Sequence, residues 1–283
     1  MKLFALGDLH LANRSNREAL VELPAQPEDW LILAGDVGET EAHLRFALET
    51  LVPRFKQLLW VPGNHDLWTL ATDPSPLKGE AKYLRLVEIC RSFGVLTPED
   101  PYPRWPGLGP SGRRYRLAPL FLLYDYTFRP DDVPAQEAVS WASESGVMCS
   151  DEILLHYHPH PSREAWCAAR LTLSERRLEA AAASGDELIL INHWPLREDL
   201  VHLRRIPRFS IWCGSKATED WHTRFNAAVV VHGHLHIKNT HFRDGVRFEE
   251  VSLGYPRDWN RHRGVAFYLR QILPEPETWL AER

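Results

Sequence analysis

Three apolar runs near the start of the chain stop in the same way. KLFAL (2–6) runs into GDLH, WLILA (30–34) into GDVGE, and QLLWV (57–61) through a proline into GNHD. Asp8, Asp36 and Asn64 are spaced 28 residues apart each time. Between the runs lie helical patterns over 15–22 and 40–54, with Leu44, Leu48 and Leu51 on one face, and a third helix is predicted over 80–92. Alternation of this kind requires parallel strands joined by helical crossovers. Equivalent strand ends then lie along one edge of a sheet, so three polar residues remote in sequence converge there.

Two later strands end alike. ELILIN (187–192) leads into His193, and AAVVVH (227–232) into GHLH, which carries His234 and His236. In extended chain, the i, i+2 pairs Asp8/His10 and His234/His236 each share a face. The donors are two carboxylates, one amide and four imidazoles. No thiolate joins them, because Cys90, Cys149, Cys167 and Cys213 are far apart and form no CxxC pair. They read as reduced thiols. Oxygen with imidazole nitrogen suits manganese, iron, zinc or cobalt rather than calcium or magnesium alone. Seven donors exceed the needs of one ion with an open position and suit two ions sharing a ligand, for which Asp36 is the natural bridge. Two divalent ions outweigh two aspartates, so the site favours an anionic substrate such as a phosphate ester. Taken singly, an Asp or Asn after a glycine is often only a turn or cap residue. Five such signals, all at strand ends, are not explained by turns.

The ordered set D-x-H, G-D-x-x, G-N-H-D, a lone His and G-H-x-H resembles the calcineurin-like metallophosphoesterases. The resemblance covers most of the chain. It implies an α/β fold, a four-layer αββα sandwich of two mixed β-sheets flanked by helices, with a dinuclear metal centre at the strand ends. It implies that Asp8, His10 and His236 hold one ion, that Asn64, His193 and His234 hold the other, and that Asp36 bridges. His65 would be the general acid or a donor to a phosphoryl oxygen, and Asp66 would support the loop or orient His65. The second block, GDVGE, departs from the commoner family pattern. Glu39 is expected either to act behind the ligands or to begin the next helix. Asn192, where a small residue is usual, reads as a filler.

Residues 98–112 are rich in Pro and Gly and read as loop. Strand pieces are expected over 114–124 and helices over 134–145 and 163–184, so that 98–185 forms a partly helical insertion in one domain spanning 1–283. Further strands are expected over 237–242, 246–252 and 265–270, the last ones pairing antiparallel through turns such as RDG at 243–245. There is no internal repeat. HYHPH (156–160) reads as a loop with solvent-facing imidazoles rather than a second metal site, and His232 as a core residue. LRRIPR (203–208) and RDWNRHR (257–263) are the best candidates for substrate contacts away from the metals. Residues 207–221, with Trp212 and Trp221, are a candidate cap over the pocket, and substrate-binding residues are otherwise unassigned.

The expected activity is hydrolysis of a phosphomonoester or phosphodiester by metal-activated water, on a small nucleotide-like substrate. The formal net charge of −5 argues against a broad nucleic-acid surface. A nuclease is the alternative enzyme, and a non-catalytic scaffold on the same fold the alternative outside enzymes. No apolar run approaches a membrane span, and the N-terminus reads as a first strand rather than a signal peptide. The expected location is therefore the cytoplasm.

Overall fold

The computed structural model describes residues 1–73 and 76–275. Its strands are β1 (Leu3–Leu6), β2 (Gln26–Ala34), β3 (Phe55–Val61), β4 (Tyr115–Pro119), β5 (Glu187–Ile191), β6 (Ala227–His232), β7 (Thr240–Arg243), β8 (Val246–Glu250) and β9 (Arg270–Leu273). Its α-helices are α1 (Arg14–Val21), α2 (Glu41–Leu51), the single turn α3 (Asn64–Leu67), α4 (Glu80–Ser92), α5 (Ala138–Ser143), α6 (Asp151–Leu154), α7 (Arg163–Ala182) and α8 (Trp221–Arg224).

The strands form two mixed sheets, ordered β3-β2-β1-β9 and β4-β5-β6-β8-β7. In the first, β1, β2 and β3 are parallel and β9 runs antiparallel at the edge. In the second, β4, β5, β6 and β8 are parallel and β7 is the antiparallel edge. The period-2 side-chain alternation of strands sorts each strand between two layers. Ala5, Ile32, Ala34 and Val61 meet Leu117, Ile189, Ile191, Val229 and Val231 between the sheets. Leu6, Leu33 and Trp60 face outward and pack with Leu20, Leu44, Leu48 and Leu86 of α1, α2 and α4. On the other side Leu190, Val230 and Phe248 pack with Leu178, Trp221 and Phe225. This is the four-layer sandwich expected. α7 serves both outer layers, with Trp166 in one cluster and Leu178 in the other.

The helices carry their own start signals. Thr40 Oγ1 accepts the His43 backbone N–H at 3.2 Å, and Leu44, Ala47, Leu48 and Leu51 then recur at helical spacing on the buried face of α2. Ser162 caps α7 in the same way. The two sheets touch where β1 and β8 end: the Gly7 N–H donates to Val251 O at 2.9 Å and the Leu253 N–H to Gly7 O at 2.8 Å. The motif loops gather around that seam.

Three strand expectations need correction. Residues 265–268 form a 3-10 turn and the strand follows at Arg270–Leu273. Gly264 enters that turn with φ +67°, and Phe267 is largely exposed, whereas Ile272 and Leu273 are fully buried. The apolar VAFY run therefore packs only on one side, and the pairing falls to the segment that can be covered on both. Strand β7 starts at Thr240, leaving 237–239 as loop, and β4 ends at Pro119, after which the Leu120 N–H still donates to Ile191 O of β5 at 2.7 Å but residues 120–124, all buried, are no longer strand. The expected antiparallel hairpin over 243–245 is present between β7 and β8, but β8 pairs with β6 in parallel. The four cysteines are free and buried.

Candidate metal centre

All seven donors singled out in the sequence meet at one end of the sandwich. Asp8, His10, Asp36, Asn64 and His193 are buried, and His234 and His236 are half-buried. Asp8, His10, Asp36, His234 and His236 all sit at positive φ, between 43° and 73°. A side chain with a Cβ rarely adopts that conformation, and such strain persists where the surrounding structure holds it for a function. The glycines of the motifs have a local reason too. A Cβ on Gly63 would overlap Asp36 Oδ1, and one on Gly233 would overlap Asp8 Oδ2.

One group of donors is Asp8, His10 and His236, whose ligand atoms lie within 4.8 Å of one another. His236 Nδ1 pairs with Asp258 Oδ2 at 3.1 Å, which turns Nε2 toward Asp8 Oδ1 at 3.1 Å and His10 Nε2 at 3.0 Å. Ser252 Oγ donates to the other oxygen of Asp8 at 2.7 Å. The Tyr255 ring stacks on His10 with centroids 4.2 Å apart.

The second group is Asn64, His193 and His234. His193 Nδ1 lies 2.9 Å from the Ala34 carbonyl oxygen, to which it donates. Its Nε2 is then an acceptor, and it faces Asn64 Oδ1 at 3.1 Å and His234 Nδ1 at 3.3 Å. The Asn64 amide nitrogen is already engaged, donating to Asp151 Oδ1 at 3.0 Å. Two acceptors therefore face each other, an arrangement that a cation between them would satisfy. Asp36 lies between the groups, with Oδ1 3.5 Å from His193 Nε2 and Oδ2 3.9 Å from His10 Nε2.

The electrostatics match this chemistry. Burial, with His65 nearby, lowers the His10 pKa to about 3, and burial also lowers His193 and His234. Neutral imidazole is the ligating form. Burial works against charge on His236 as well, but Asp8 outweighs it and raises the pKa. Burial also opposes ionisation of Asp8, yet His193, His236 and His10 hold it below the usual carboxylate range. Asp36 is pushed well above that range by burial and then by Asp8, Asp66 and Asp151. Among the described residues, no lysine or arginine bonds or pairs with Asp8 or Asp36; their partners are histidines, backbone N–H groups and Ser252. The donor set thus fits divalent cations.

His65 is half-buried beside the centre. Its Nδ1 lies 3.4 Å from Glu39 Oε1, its Nε2 lies 3.9 Å from Asp36 Oδ2, and its ring lies on Trp68 at 3.6 Å between centroids. With His10 and Asp36 it forms a third close set of donors. Among the described residues, Asp66 makes no hydrogen bond or ion pair with the His65 ring. Its carboxylate accepts backbone N–H groups of Val37 (3.1 Å), Gly38 (3.2 Å) and Gly63 (2.9 Å), which pins the second motif loop to the third. Of the two roles expected for Asp66, loop support is the one its contacts fit, and the carboxylate beside His65 is Glu39. Asn192 is no filler: its Oδ1 accepts the Leu122 N–H at 3.0 Å and its Nδ2 donates to Trp194 O at 2.8 Å, bracing the loop that carries His193.

The centre opens into a cleft of about 1020 Å³. One wall includes Leu200, Leu203, Ile206 and Phe209, and another includes Leu235, Ile237, Tyr255 and Arg257. Arg204 and Arg205 of the LRRIPR stretch line it, are exposed, and enter no ion pair among the described residues. The wall stops at Phe209, so the cap expected over 207–221 lies largely elsewhere: Trp212 and Trp221 are buried in the hydrophobic clusters. The HYHPH imidazoles belong to none of the close donor sets; His160 stacks on Trp166. His232 is buried, as expected, yet also lines the cleft.

Sequence reasoning does not reach Asp151, Ser252 and Tyr255, and it reaches Asp258 only as part of the basic stretch 257–263, as a candidate for substrate contact rather than as a partner of a metal ligand. They lie outside the five motifs and reach the donors only through the fold. A further local hint is that Ser252 and Asp258 follow β8, whose end lies beside those of β1 and β6.

No helix among the described residues is long and apolar enough to cross a membrane. The chain is 45% identical over 277 residues to the acyl-carrier-protein phosphodiesterase PptH of Mycobacterium tuberculosis, covering 97% of this chain and 84% of that protein. The crystal structure of the phosphopantetheinyl hydrolase PptH from that organism superposes with a TM-score of 0.91 at 44% identity, over 97% of this chain and 96% of the other. The sequence model of the calcineurin-like phosphoesterases matches residues 1–238. This chain is a metal-dependent hydrolase of phosphate esters and belongs to the calcineurin-like phosphoesterase family.

Proposed function

We propose that the chain hydrolyses the phosphodiester joining a phosphopantetheinyl arm to a carrier protein, freeing the arm with its phosphate and leaving a hydroxyl on the carrier. The observation that carries this is the chain-long likeness to the phosphopantetheinyl hydrolase PptH. It replaces the nucleotide-like substrate expected from sequence with a small phosphorylated group on a protein. The cleft supports it: at about 1020 Å³ it is at the upper end of ligand pockets, with apolar walls suited to an extended amide-linked chain.

In this reading Asp8, His10 and His236 would hold one ion, Asn64, His193 and His234 would hold the other, and Asp36 would serve both. Manganese is the first choice for both. Two such ions when bound supply positive charge for the phosphoryl oxygens and lower the pKa of the attacking water. The chain's own residues do the rest. His65, with Glu39 at its Nδ1, presents Nε2 toward the reacting centre and donates a proton to the leaving oxygen as the bond to phosphorus breaks. Asp66 keeps the loops of Asp36 and His65 in register. Residues 1–283 act as one domain in the cytoplasm, with the 98–185 insertion packed against the site.

Arg204 and Arg205 stand at the cleft mouth and suit an acidic carrier surface. Manganese-loaded protein incubated with a holo carrier protein is expected to release free phosphopantetheine and leave the apo carrier, followed by mass spectrometry. Arg204→Glu with Arg205→Glu is expected to raise KM for the carrier about tenfold, a loss of ~1.4 kcal/mol in binding, while leaving bis-p-nitrophenyl phosphate hydrolysis unchanged. Retention of the arm on the carrier, with that small diester still cleaved, would refute the carrier substrate.

A further inference from the structure

The inserted region does more than cover the fold. Asp151, fully buried at the start of α6, collects three donors: Asn64 Nδ2 at 3.0 Å and Trp68 Nε1 at 2.6 Å on Oδ1, and Tyr124 Oη at 3.1 Å on Oδ2. α6 is itself held, because Arg163 Nη2 of α7 donates to the carbonyls of Asp151 (2.8 Å) and Leu155 (3.0 Å) while its Nη1 pairs with Glu152 at 3.0 Å. An asparagine side chain free to turn about its last bond offers either oxygen or nitrogen to a neighbour. With its nitrogen on a carboxylate, Asn64 has only its oxygen left to face His193 Nε2, at 3.1 Å.

We propose that Asp151 is a positioning residue for the second metal: it fixes the Asn64 amide with the oxygen toward the ion, and through Trp68 it also sets the ring on which His65 lies. The inference rests on the two-ion reading above. Partners behind a metal ligand typically carry a tenfold to hundredfold effect on metal affinity, so the expected loss is about that size and confined to one ion.

The test is calorimetric titration of the metal-free full chain with manganese alone. The wild type is expected to bind two ions. Asp151→Ala should weaken one of them about tenfold to hundredfold and spare the other, held by Asp8, His10 and His236. Asp151→Asn keeps an oxygen acceptor for Asn64 and Trp68 and should restore binding to within about threefold of wild type, whereas Asp151→Leu, which fills the space without an acceptor, should stay as weak as Asp151→Ala; a mere packing role would have Leu rescue as well. Wild-type affinity at both sites in Asp151→Ala would overturn the proposal. If that variant does not fold, the pair is read in reverse: Asn64→Asp sets two carboxylates face to face and weakens binding, and adding Asp151→Asn should recover it. No recovery in the double variant would overturn the proposal as well. A wild type that binds no second ion would instead sink the two-ion reading itself.

Discussion

Asp36→Asn is expected to cut phosphodiester hydrolysis by about a thousandfold or more, the largest single loss in the molecule. The two oxygens of Asp36 face the two donor groups, at 3.5 Å from His193 Nε2 and 3.9 Å from His10 Nε2. An amide at this position keeps the shape but loses the negative charge and one acceptor, so it no longer serves both ions. Charge stabilisation by a metal is worth several kcal/mol in the transition state, and ~4 kcal/mol is about a thousandfold in rate. The same substitution has an opposite effect on the metal-free protein. Burial, with Asp8, Asp66 and Asp151 nearby, pushes the Asp36 carboxyl well above the ordinary range. A carboxyl whose folded pKa is raised costs stability above its unfolded pKa, and the cost grows as pH rises toward the folded value. In excess chelator, Asp36→Asn should therefore melt above wild type at neutral pH, and the gap should close below about pH 4, where the unfolded carboxyl is protonated too. An Asp36→Asn protein that keeps wild-type turnover, or melts lower in chelator at neutral pH, contradicts this role.

His65→Ala comes second. A proton donor in the transition state contributes about a hundredfold to ten-thousandfold, and turnover should fall by that much with two ions still bound. The metal count decides between two roles, because His65 also lies close enough to His10 and Asp36 to join a donor set. Loss of an ion together with activity would make His65 a ligand. Its pairing with Glu39 at 3.4 Å and its ring on Trp68 at 3.6 Å favour the donor role.

The seven donors were legible because each sits within a few residues of a strand end, where short-range pattern and sheet topology coincide. Neighbouring positions were harder. Asp66 adjoins His65 in sequence, but both lie in the single helical turn α3, where successive side chains point about 100° apart. Asp66 is thereby turned under the loops, and the carboxylate that reaches His65 is Glu39, 26 residues earlier. Asp151 was out of reach for another reason. It stands 87 residues from Asn64, in a region without clear periodicity, and only the packing of α6 beside α3 brings the two together. The misplaced last strand has a similar origin. VAFY and RQIL are both plausible strand segments, and which one pairs with β1 depends on which can be buried.

The most direct test of the two-ion hydrolase is the rate of bis-p-nitrophenyl phosphate hydrolysis as manganese is titrated into the metal-free chain. The rate should rise and level off at two ions per chain. A chain that shows no turnover at any manganese loading, or that reaches full rate at a single equivalent, would contradict the dinuclear site on which the account depends.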